Sequence, residues 1–382
     1  MPSSKPRPNE AESTPMLTRL LSLLKLAAAI TLALILIDVA IFRSGAYRHV
    51  LEPESTAGTT LSAVYAARHL YDPQRKNVVV LGNSQIGEGF SGQLAEASSG
   101  RTDLHFINAA IAGSSPRVWD YVLRAADPRT DHFAAVVLMV SYDTFGIQVD
   151  PADSPLDVSY LAPLVGFGDV PKFPLSFHAA EQRARAWRAI MLPLQTMRED
   201  ALALLANPLD RFNKARKYYP GWLGAVQLYG GHPEAVPTLD IDPTTGQPRS
   251  WDGVPADLKA HLEGYFAGLR NPGYGTPQLR VEYDAYMREW IGDIALRYQA
   301  HGVPVIVFVV PRGPFHALLA PVPVAAGAIA ELRDAGLIRM LPGDTFVSFE
   351  QPRFFFDTLH MNRAGREAFS AMLAQKIAPL VP

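Results

Sequence analysis

Three residues that lie far apart in the chain could together activate a hydroxyl group for attack on an ester carbonyl. Ser84 follows the apolar run 78–81, and Asp357 and His360 lie three residues apart near the end of the sequence. In a turn, this spacing lets the carboxylate bind one imidazole nitrogen, which leaves the other nitrogen to take a serine proton. The pattern predicts catalysis through an acyl-serine. Two simpler interpretations stay open: Ser84 as a helix cap, and the Asp–His pair as a cap on the terminal helix.

Other polar positions also follow apolar runs, where they could stabilise the negative charge of a tetrahedral intermediate. Gly113 follows the run 104–108, and a glycine lets the backbone approach a ligand and present its N–H. Ser141 and Tyr142 end the run that begins at residue 134 and could donate hydroxyl hydrogen bonds. A plain strand-to-helix turn would explain Gly113 equally well.

The apolar runs themselves predict the elements that position these residues. Strands are predicted at 78–81, 104–108, 134–141 and 303–310, with a weaker candidate at 337–341. Their hydrophobicity is continuous rather than alternating, as in a parallel sheet covered by helices on both faces. Apolar and aromatic residues recur at helical spacing from Tyr283 to Tyr298, before the fourth run, and Gly302 is expected to end this helix. Residues 363–380 predict a terminal helix. The predicted fold class is α/β, and the carboxyl ends of its strands share one edge.

An apolar segment at residues 17–44 predicts a transmembrane signal anchor. It is long enough to cross a bilayer, and Asp38 is its discordant charge. Basic residues before it favour a cytoplasmic N-terminus, which would place the rest of the chain outside the cytoplasmic membrane. Residues 1–16 are predicted to form a disordered tail and residues 45–75 a linker. The alternative for the apolar segment is a packing helix of a soluble protein.

The remaining residues, 76–382, are predicted to form one domain with a long irregular insertion at about 146–275. A helical piece is expected at 179–205, and 208–275 is expected to be irregular because Pro and Gly are frequent there. The insertion also contains aromatic residues that could stack on a sugar or form a small core: Trp187, Trp222, Trp251 and Tyr274.

Two further side chains follow the fourth run, at the same predicted edge. Arg312 and His316 could touch a substrate there, but a solvated loop is the favoured interpretation.

Composition excludes several classes of protein. The chain has 382 residues, with 35 Lys and Arg against 37 Asp and Glu, and it lacks the basic clusters that nucleic-acid binding needs. The absence of cysteine excludes disulfides, iron–sulfur clusters, cysteine-ligated zinc and thiol nucleophiles. Neither a phosphate-binding loop nor a metal-ligand spacing is present, so no cofactor and no metal are expected.

Taken in order, these segments resemble the SGNH/GDSL hydrolase superfamily. Gly82-Asn83-Ser84 is similar to the Gly-Asp-Ser block, with Asn in place of Asp, and residues 108–113 are similar to the glycine block. Residues 357–365 are similar to the closing block. The third block normally ends Gly-x-Asn-Asp, whereas residues 140–143 read Val-Ser-Tyr-Asp, so the usual side-chain oxyanion donor is missing.

The resemblance implies a flavodoxin-like three-layer sandwich and a role for each matched residue. Ser84 would be the nucleophile, His360 the base and Asp357 the residue that orients it. The N–H groups of Ser84 and Gly113 would bind the oxyanion, with Asn83 beside them. Ser141 or Tyr142 could replace the missing donor.

The apolar anchor adds a likeness to membrane-anchored members of this superfamily that work with multi-spanning acyltransferases on cell-surface polymers. It implies a serine esterase or O-acyltransferase acting on acyl groups, with acetyl as the expected group, of a cell-envelope polysaccharide. The expected partners are that polysaccharide and a membrane acyltransferase. The alternatives are a scaffold with little or no activity that binds the same partners, and a soluble cytoplasmic esterase.

Overall fold

The computed structural model describes residues 14–141, 150–242, 244–270, 277–319 and 326–382. Within them, a five-stranded sheet has the strand order β2–β1–β3–β6–β7, and every neighbouring pair is parallel. A separate antiparallel pair joins β4 to β5. The strands are Lys76–Leu81 (β1), Leu104–Asn108 (β2), Ala135–Val140 (β3), Ile241–Asp242 (β4), Gln247–Pro248 (β5), Val305–Val309 (β6) and Arg339–Met340 (β7).

Helices form most of the rest of the described chain. In the first half they are Thr14–Ile37 (α1), Thr56–His69 (α2), Ser84–Gly89 (α3), Gly92–Ser98 (α4), Pro116–Ala126 (α5), Asp157–Leu161 (α6), Lys172–Leu175 (α7) and Ala180–Met191 (α8). In the second half they are Pro193–Thr196 (α9), Arg198–Ala206 (α10), Pro208–Leu228 (α11), Ala256–Arg270 (α12), Pro277–Gln299 (α13), His316–Leu319 (α14), Gly327–Asp334 (α15) and Arg363–Ile377 (α16). Short 3₁₀ turns occur at Ala46–His49, Pro151–Asp153, Phe167–Asp169, Val347–Phe349, Pro352–Phe354 and Ala378–Leu380.

The central strands are buried on both faces, which confirms the predicted parallel sheet. Every residue of β3 and β6 is buried, and so is every residue of β1 after Lys76. The weaker candidate at 337–341 is the edge strand β7, paired with β6. Continuous apolar runs form these strands because helices remove both faces from water.

Two groups of helices cover the sheet. One group consists of α3, α4 and α16, and the other contains α2, α5, α13 and α15. The chain moves in one direction across the sheet from β1 to β2 and in the opposite direction from β2 to β3. Because crossover connections are right-handed, the helices of these two connections lie on opposite faces of the sheet. The strand order therefore reverses between β1 and β3, and such a reversal opens a crevice at the carboxyl ends of the strands.

The predicted packing stripe and stop signal of α13 are both confirmed. Met287, Trp290, Ile291 and Ile294 are buried in the core. Gly302 has a φ of +74°, a left-handed conformation that glycine adopts without a steric penalty, and its N–H binds the carbonyl of Gln299.

The N-terminal apolar segment is a helix that lies outside the core. The candidate span Thr18–Arg43 contains an 18-residue window with a mean hydropathy of 2.5, and none of that window is buried. By length and composition this helix could cross a membrane. The sequence Asp38–Arg43 continues α1 as a π-helical turn, and the Arg43 guanidinium binds the Asp38 carboxylate at its base. The discordant charge therefore has a partner on the next turn.

Two expectations about irregular chain differ from the structure. The predicted linker contains α2, which packs on α5 and α6 and is capped by Ser55, whose hydroxyl accepts a hydrogen bond from Gly58 N–H. The stretch predicted to be irregular after residue 207 contains α11 and α12. Frequent proline predicted irregular chain here, but Pro208 lies in the first turn of α11. A backbone N–H in the first turn has no acceptor within the helix, so a proline there loses no hydrogen bond and favours the helix. The predicted tail, residues 1–16, lies outside the described residues as far as residue 13, and its last three residues form the start of α1.

Candidate active site

The structure brings Ser84, His360 and Asp357 into one hydrogen-bonded chain. The hydroxyl of Ser84 lies 2.8 Å from His360 Nε2, and His360 Nδ1 lies 2.8 Å from the Asp357 carboxylate. All three side chains are partly exposed, the imidazole at 22% and the carboxylate at 36%. A hydroxyl, an imidazole and a carboxylate in this order form the arrangement that activates a serine nucleophile.

Local geometry places Ser84 at the carboxyl end of β1. A side chain at Gly82 would lie 2.4 Å from Ile86 and 2.8 Å from Met139, so only glycine fits between the strand and the helix. Asn83 caps α3, with its amide oxygen accepting a hydrogen bond from Gln85 N–H at 2.9 Å. The cap is thus Asn83, so capping does not explain Ser84. Asn83 was expected beside the oxyanion donors, and its amide oxygen is occupied by this bond.

His360 and Asp357 lie on a short hairpin before α16. Phe356 N–H binds the carbonyl of His360 at 3.1 Å, and Phe355 pairs with Met361 as an isolated antiparallel bridge. The second oxygen of Asp357 accepts hydrogen bonds from the N–H groups of Leu359 and His360, at 2.7 and 2.6 Å. The same carboxylate therefore fixes both the turn and the imidazole.

Asn362 holds the end of this hairpin in place. It is 2% exposed, and its oxygen caps α16 by accepting from Gly365 N–H at 3.0 Å. Its amide nitrogen donates to the carbonyls of Glu234 and Arg353, at 3.0 and 2.9 Å. A side chain at Gly365 would lie 2.3 Å from the Phe354 carbonyl, which explains the glycine.

Arg366 on α16 joins the two halves of the site. Its guanidinium donates to the carbonyls of Gly87 and Glu88 on α3, at 2.9 and 2.7 Å. Tyr229 from the insertion donates to the Glu88 carboxylate and packs against the same guanidinium. The helix that carries Ser84 is thereby tied to the helix that follows the hairpin. Sequence reasoning missed Arg366, because an arginine in a polar helix gives no sign of burial.

The loop after β2 lies beside Ser84. The carbonyl of Gly82 accepts hydrogen bonds from Ile111 N–H at 2.9 Å and from the Ser114 hydroxyl at 3.3 Å, and Gly113 lies between these two donors in the chain. Gly113 is exposed and has a φ of +70°, where a side chain would be strained. Tyr160 on α6 donates to the carbonyl of Ala112. The insertion therefore supports the loop that was expected to supply an oxyanion donor.

A buried ion pair anchors α6 to the same loop. Asp157 accepts hydrogen bonds from the Ser115 hydroxyl at 2.8 Å and from Arg117 at 3.2 Å, and both charged side chains have no exposed surface. Burial raises the pKa of Asp157, and the Arg117 guanidinium opposes that rise. No motif in the sequence indicates this pair, because its members lie in different elements.

The two remaining candidate donors follow β3. Ser141 is half-buried at the carboxyl end of this strand, on the same edge of the sheet as Ser84. Tyr142 lies outside the described residues.

Hydrogen bonds keep Asp357 ionised. Burial alone would raise the pKa of its carboxyl, but hydrogen bonds from the His360 ring and from the N–H groups of His360 and Leu359 outweigh burial and lower it. An ionised Asp357 holds the imidazole with Nδ1 protonated, which leaves Nε2 free to accept a proton from Ser84.

Part of the insertion flanks the hairpin. Val236 N–H binds the carbonyl of Phe355 at 2.8 Å, and Arg363 N–H binds the carbonyl of His232 at 2.7 Å. The His232 ring packs against Phe356 at an interplanar angle of 35°, with 4.0 Å between ring centroids. Sequence reasoning placed this segment in irregular chain, and its Pro- and Gly-rich composition gave no signal of contact with residue 356.

Arg312 and His316 are buried, so the favoured interpretation of them as part of a solvated loop is wrong. Arg312 is 1% exposed and binds both carboxylate oxygens of Glu350 at 2.8 Å. His316 has no exposed surface and lies 2.7 Å from the Tyr265 hydroxyl. Neither side chain therefore lies in a solvated loop.

The aromatic residues of the insertion do not form one described platform. Trp251 packs on Phe266, with 6.2 Å between ring centroids, against the main core. Trp187 and Trp222 are partly buried, and Tyr274 lies outside the described residues.

No family model and no curated protein matches this sequence.

Metal-ligating side chains come together at two places among the described residues. Asp127, Asp131 and His132 form one group, and Asp150 with its neighbours His178 and Glu282 forms the other. Neither group contains a residue of the Ser84 chain, and exposed carboxylates commonly cluster without a metal.

Proposed function

We propose that this protein is a membrane-anchored serine esterase or O-acyltransferase of the SGNH type, acting on acyl groups of a cell-envelope polysaccharide. The observation that carries the proposal is the chain of two 2.8 Å contacts from Ser84 through His360 to Asp357. The position of Ser84 at the sheet edge next to the reversal of strand order also supports it.

In the proposed mechanism, Ser84 Oγ attacks the ester carbonyl carbon while His360 Nε2 takes the hydroxyl proton. Asp357 stabilises the resulting imidazolium, and the N–H groups of Ser84 and Gly113 stabilise the negative oxygen. The tetrahedral intermediate then collapses to acyl-Ser84. The alcohol leaves with the proton that His360 held.

The second half of the reaction decides between hydrolysis and transfer. His360 takes a proton from water or from a sugar hydroxyl, and the oxygen of that group attacks the acyl carbon. Ser84 leaves and recovers its proton from the imidazolium. Water gives an esterase, and a sugar hydroxyl gives a transferase with the same acyl-enzyme.

The anchor and the side of the membrane are part of the proposal. The exposed apolar helix α1 supports a single pass through the cytoplasmic membrane, with the N-terminus inside and the catalytic domain outside. In spheroplasts, added protease should digest the domain and spare an N-terminal tag. Protection of the domain with loss of the tag would contradict this orientation.

An activated acetyl ester, such as p-nitrophenyl acetate, tests the chemistry on the full-length protein in detergent. Wild type should release nitrophenol and accept a serine-directed fluorophosphonate probe, and Ser84→Ala should do neither. Equal hydrolysis by both proteins would eliminate Ser84 as nucleophile. Absence of labelling in a folded wild type would favour the scaffold alternative, for which polysaccharide binding is the measurement.

A further inference from the structure

An apolar surface on the insertion has no covering partner within the described chain. Large hydrophobic side chains exposed by more than half occur on α10 and the start of α11: Leu202 (53%), Leu205 (75%), Leu209 (77%) and Phe212 (56%). They recur at three- and four-residue steps. Leu204 of α10 packs inward instead, against a cluster that contains Tyr47 and Met197. The outward side of these helices therefore carries exposed apolar side chains among polar ones such as Asp210, although the inner side is already packed.

This surface lies where α1 joins the domain. Arg43, at the end of the apolar segment, packs over the ring of Phe167 at 4.0 Å and binds the carbonyl of Met191 at 3.0 Å. Phe167 is 60% exposed, and Leu192, next to Met191, is 53% exposed. The π-helical end of α1 contacts α9, α9 contacts α10, and α10 contacts α11. We call Phe167, Leu192, Leu202, Leu205, Leu209 and Phe212 the juxtamembrane patch.

We propose that the juxtamembrane patch rests on the lipid surface from which α1 emerges. Large exposed apolar patches on soluble proteins mark sites of interaction, and a bilayer would begin within a few residues of Arg43. The patch would fix the tilt of the catalytic domain and hold it against the membrane. This inference rests on the proposed anchoring by α1 and is independent of the proposed chemistry.

The absence of native cysteine allows a direct test with single-cysteine variants of the full-length protein. Leu205→Cys and Leu209→Cys would each carry a bimane fluorophore in vesicles of phosphatidylcholine and phosphatidylglycerol with brominated acyl chains, which quench nearby fluorophores. Leu32→Cys, within α1, reports the membrane interior. Leu296→Cys is a matched control, because Leu296 is 56% exposed on α13.

Labels at 205 and 209 should lose emission to an extent approaching that of the label at 32, while the label at 296 keeps its emission. Adding Leu209→Gln and Phe212→Gln to Leu205→Cys should restore emission at 205. Quenching at 32 without quenching at 205 and 209 would overturn the inference, leave the anchor standing and favour a protein partner for the patch. Equal quenching at 296 would also overturn it, and an unquenched label at 32 would refute the anchor itself.

Discussion

Two loops at the same edge of the sheet each carry a polar side chain, but one side chain is exposed to solvent and the other is buried. After β1, Ser84 is partly exposed and its hydroxyl lies 2.8 Å from His360. After β6, Arg312 is 1% exposed and its guanidinium binds both oxygens of Glu350. The first loop keeps the Ser84 hydroxyl within reach of solvent. The second loop uses its charges to join two elements of the fold.

The difference shows that a polar residue after a buried strand is not by itself a site. A charge removed from water needs a partner for all of its hydrogen-bonding atoms, and a pair that satisfies itself has little left for a substrate. Exposure together with a directed hydrogen-bond chain distinguishes the loop after β1. Substitutions at the loop after β1 are therefore expected to lower activity, and substitutions at the ion pair of the loop after β6 are expected to lower stability.

The largest effect is expected for the proposed nucleophile, Ser84. Ser84→Ala should lower kcat for ester hydrolysis by about a million-fold, as removal of a serine nucleophile does elsewhere, with an unchanged melting temperature. Ser91→Ala is the matched control, because Ser91 caps α4 through Leu94 N–H. It should cost about 1 kcal/mol of stability and leave kcat unchanged. A large rate loss in Ser91→Ala with none in Ser84→Ala would contradict the proposal that Ser84 is the nucleophile.

Asp357→Asn should have the second largest effect. Without the carboxylate, the imidazole loses its orientation and the stabilisation of its charged form, so kcat/KM should fall by about ten-thousand-fold. Circular dichroism should show an unchanged fold. Full activity in this variant would mean that Asp357 does not orient His360.

Glu350→Ala is expected to act on stability instead of chemistry. Breaking a buried pair leaves Arg312 charged and uncompensated, so the free energy of unfolding should fall by about 3–5 kcal/mol in urea titrations. Glu331→Ala removes an exposed pair with Arg288 and should cost at most about 1 kcal/mol. A stable but inactive Glu350→Ala protein would place this pair in the catalytic machinery.

A smaller effect is expected where the insertion supports the loop at Gly113. Tyr160→Phe removes the hydrogen bond to the Ala112 carbonyl, worth about 1 kcal/mol, and should lower kcat/KM by roughly fivefold. Tyr298→Phe, which loses a comparable bond to Asp127, should change stability alone. Equal rate effects in the two variants would argue against a role for Tyr160 in placing the loop.

The smallest effect concerns pH and stability. Because the folded-state pKa of Asp357 lies below its ordinary value, its ionisation stabilises the fold above the ordinary carboxyl range of about pH 4. That contribution is lost as pH falls through the folded-state pKa. The difference in unfolding free energy between wild type and Asp357→Asn should therefore be constant near neutral pH and change only in acid. A change centred near neutral pH would assign the titration to another group.

The sequence alone predicts the parts of the fold that depend on local pattern. Continuous apolar runs mark β1, β3 and β6, and the stripe on α13 marks a buried helix face, because both reflect which residues must leave water. The candidate residues Ser84, Asp357 and His360 also follow from type and spacing. Their meeting at 2.8 Å contacts depends on the complete topology.

Other features could not be predicted, because they depend on contacts between distant segments. Nothing near Arg312 in the sequence indicates that Glu350 neutralises it, so a loop arginine was expected in solvent. Tyr160 reaches the loop at Ala112 from an insertion whose composition suggested irregular chain. The prediction of irregular chain from proline and glycine content was therefore wrong for much of the insertion, which contains helices and contacts the site.

Mapping the covalently modified residue tests the central claim most directly. Full-length protein treated with a fluorophosphonate probe would be digested and sequenced by mass spectrometry, with His360→Ala treated in parallel. The account predicts that wild type carries the probe on Ser84 and that His360→Ala remains unmodified at that serine. Modification of a different serine, or equal labelling of Ser84 without His360, would contradict it.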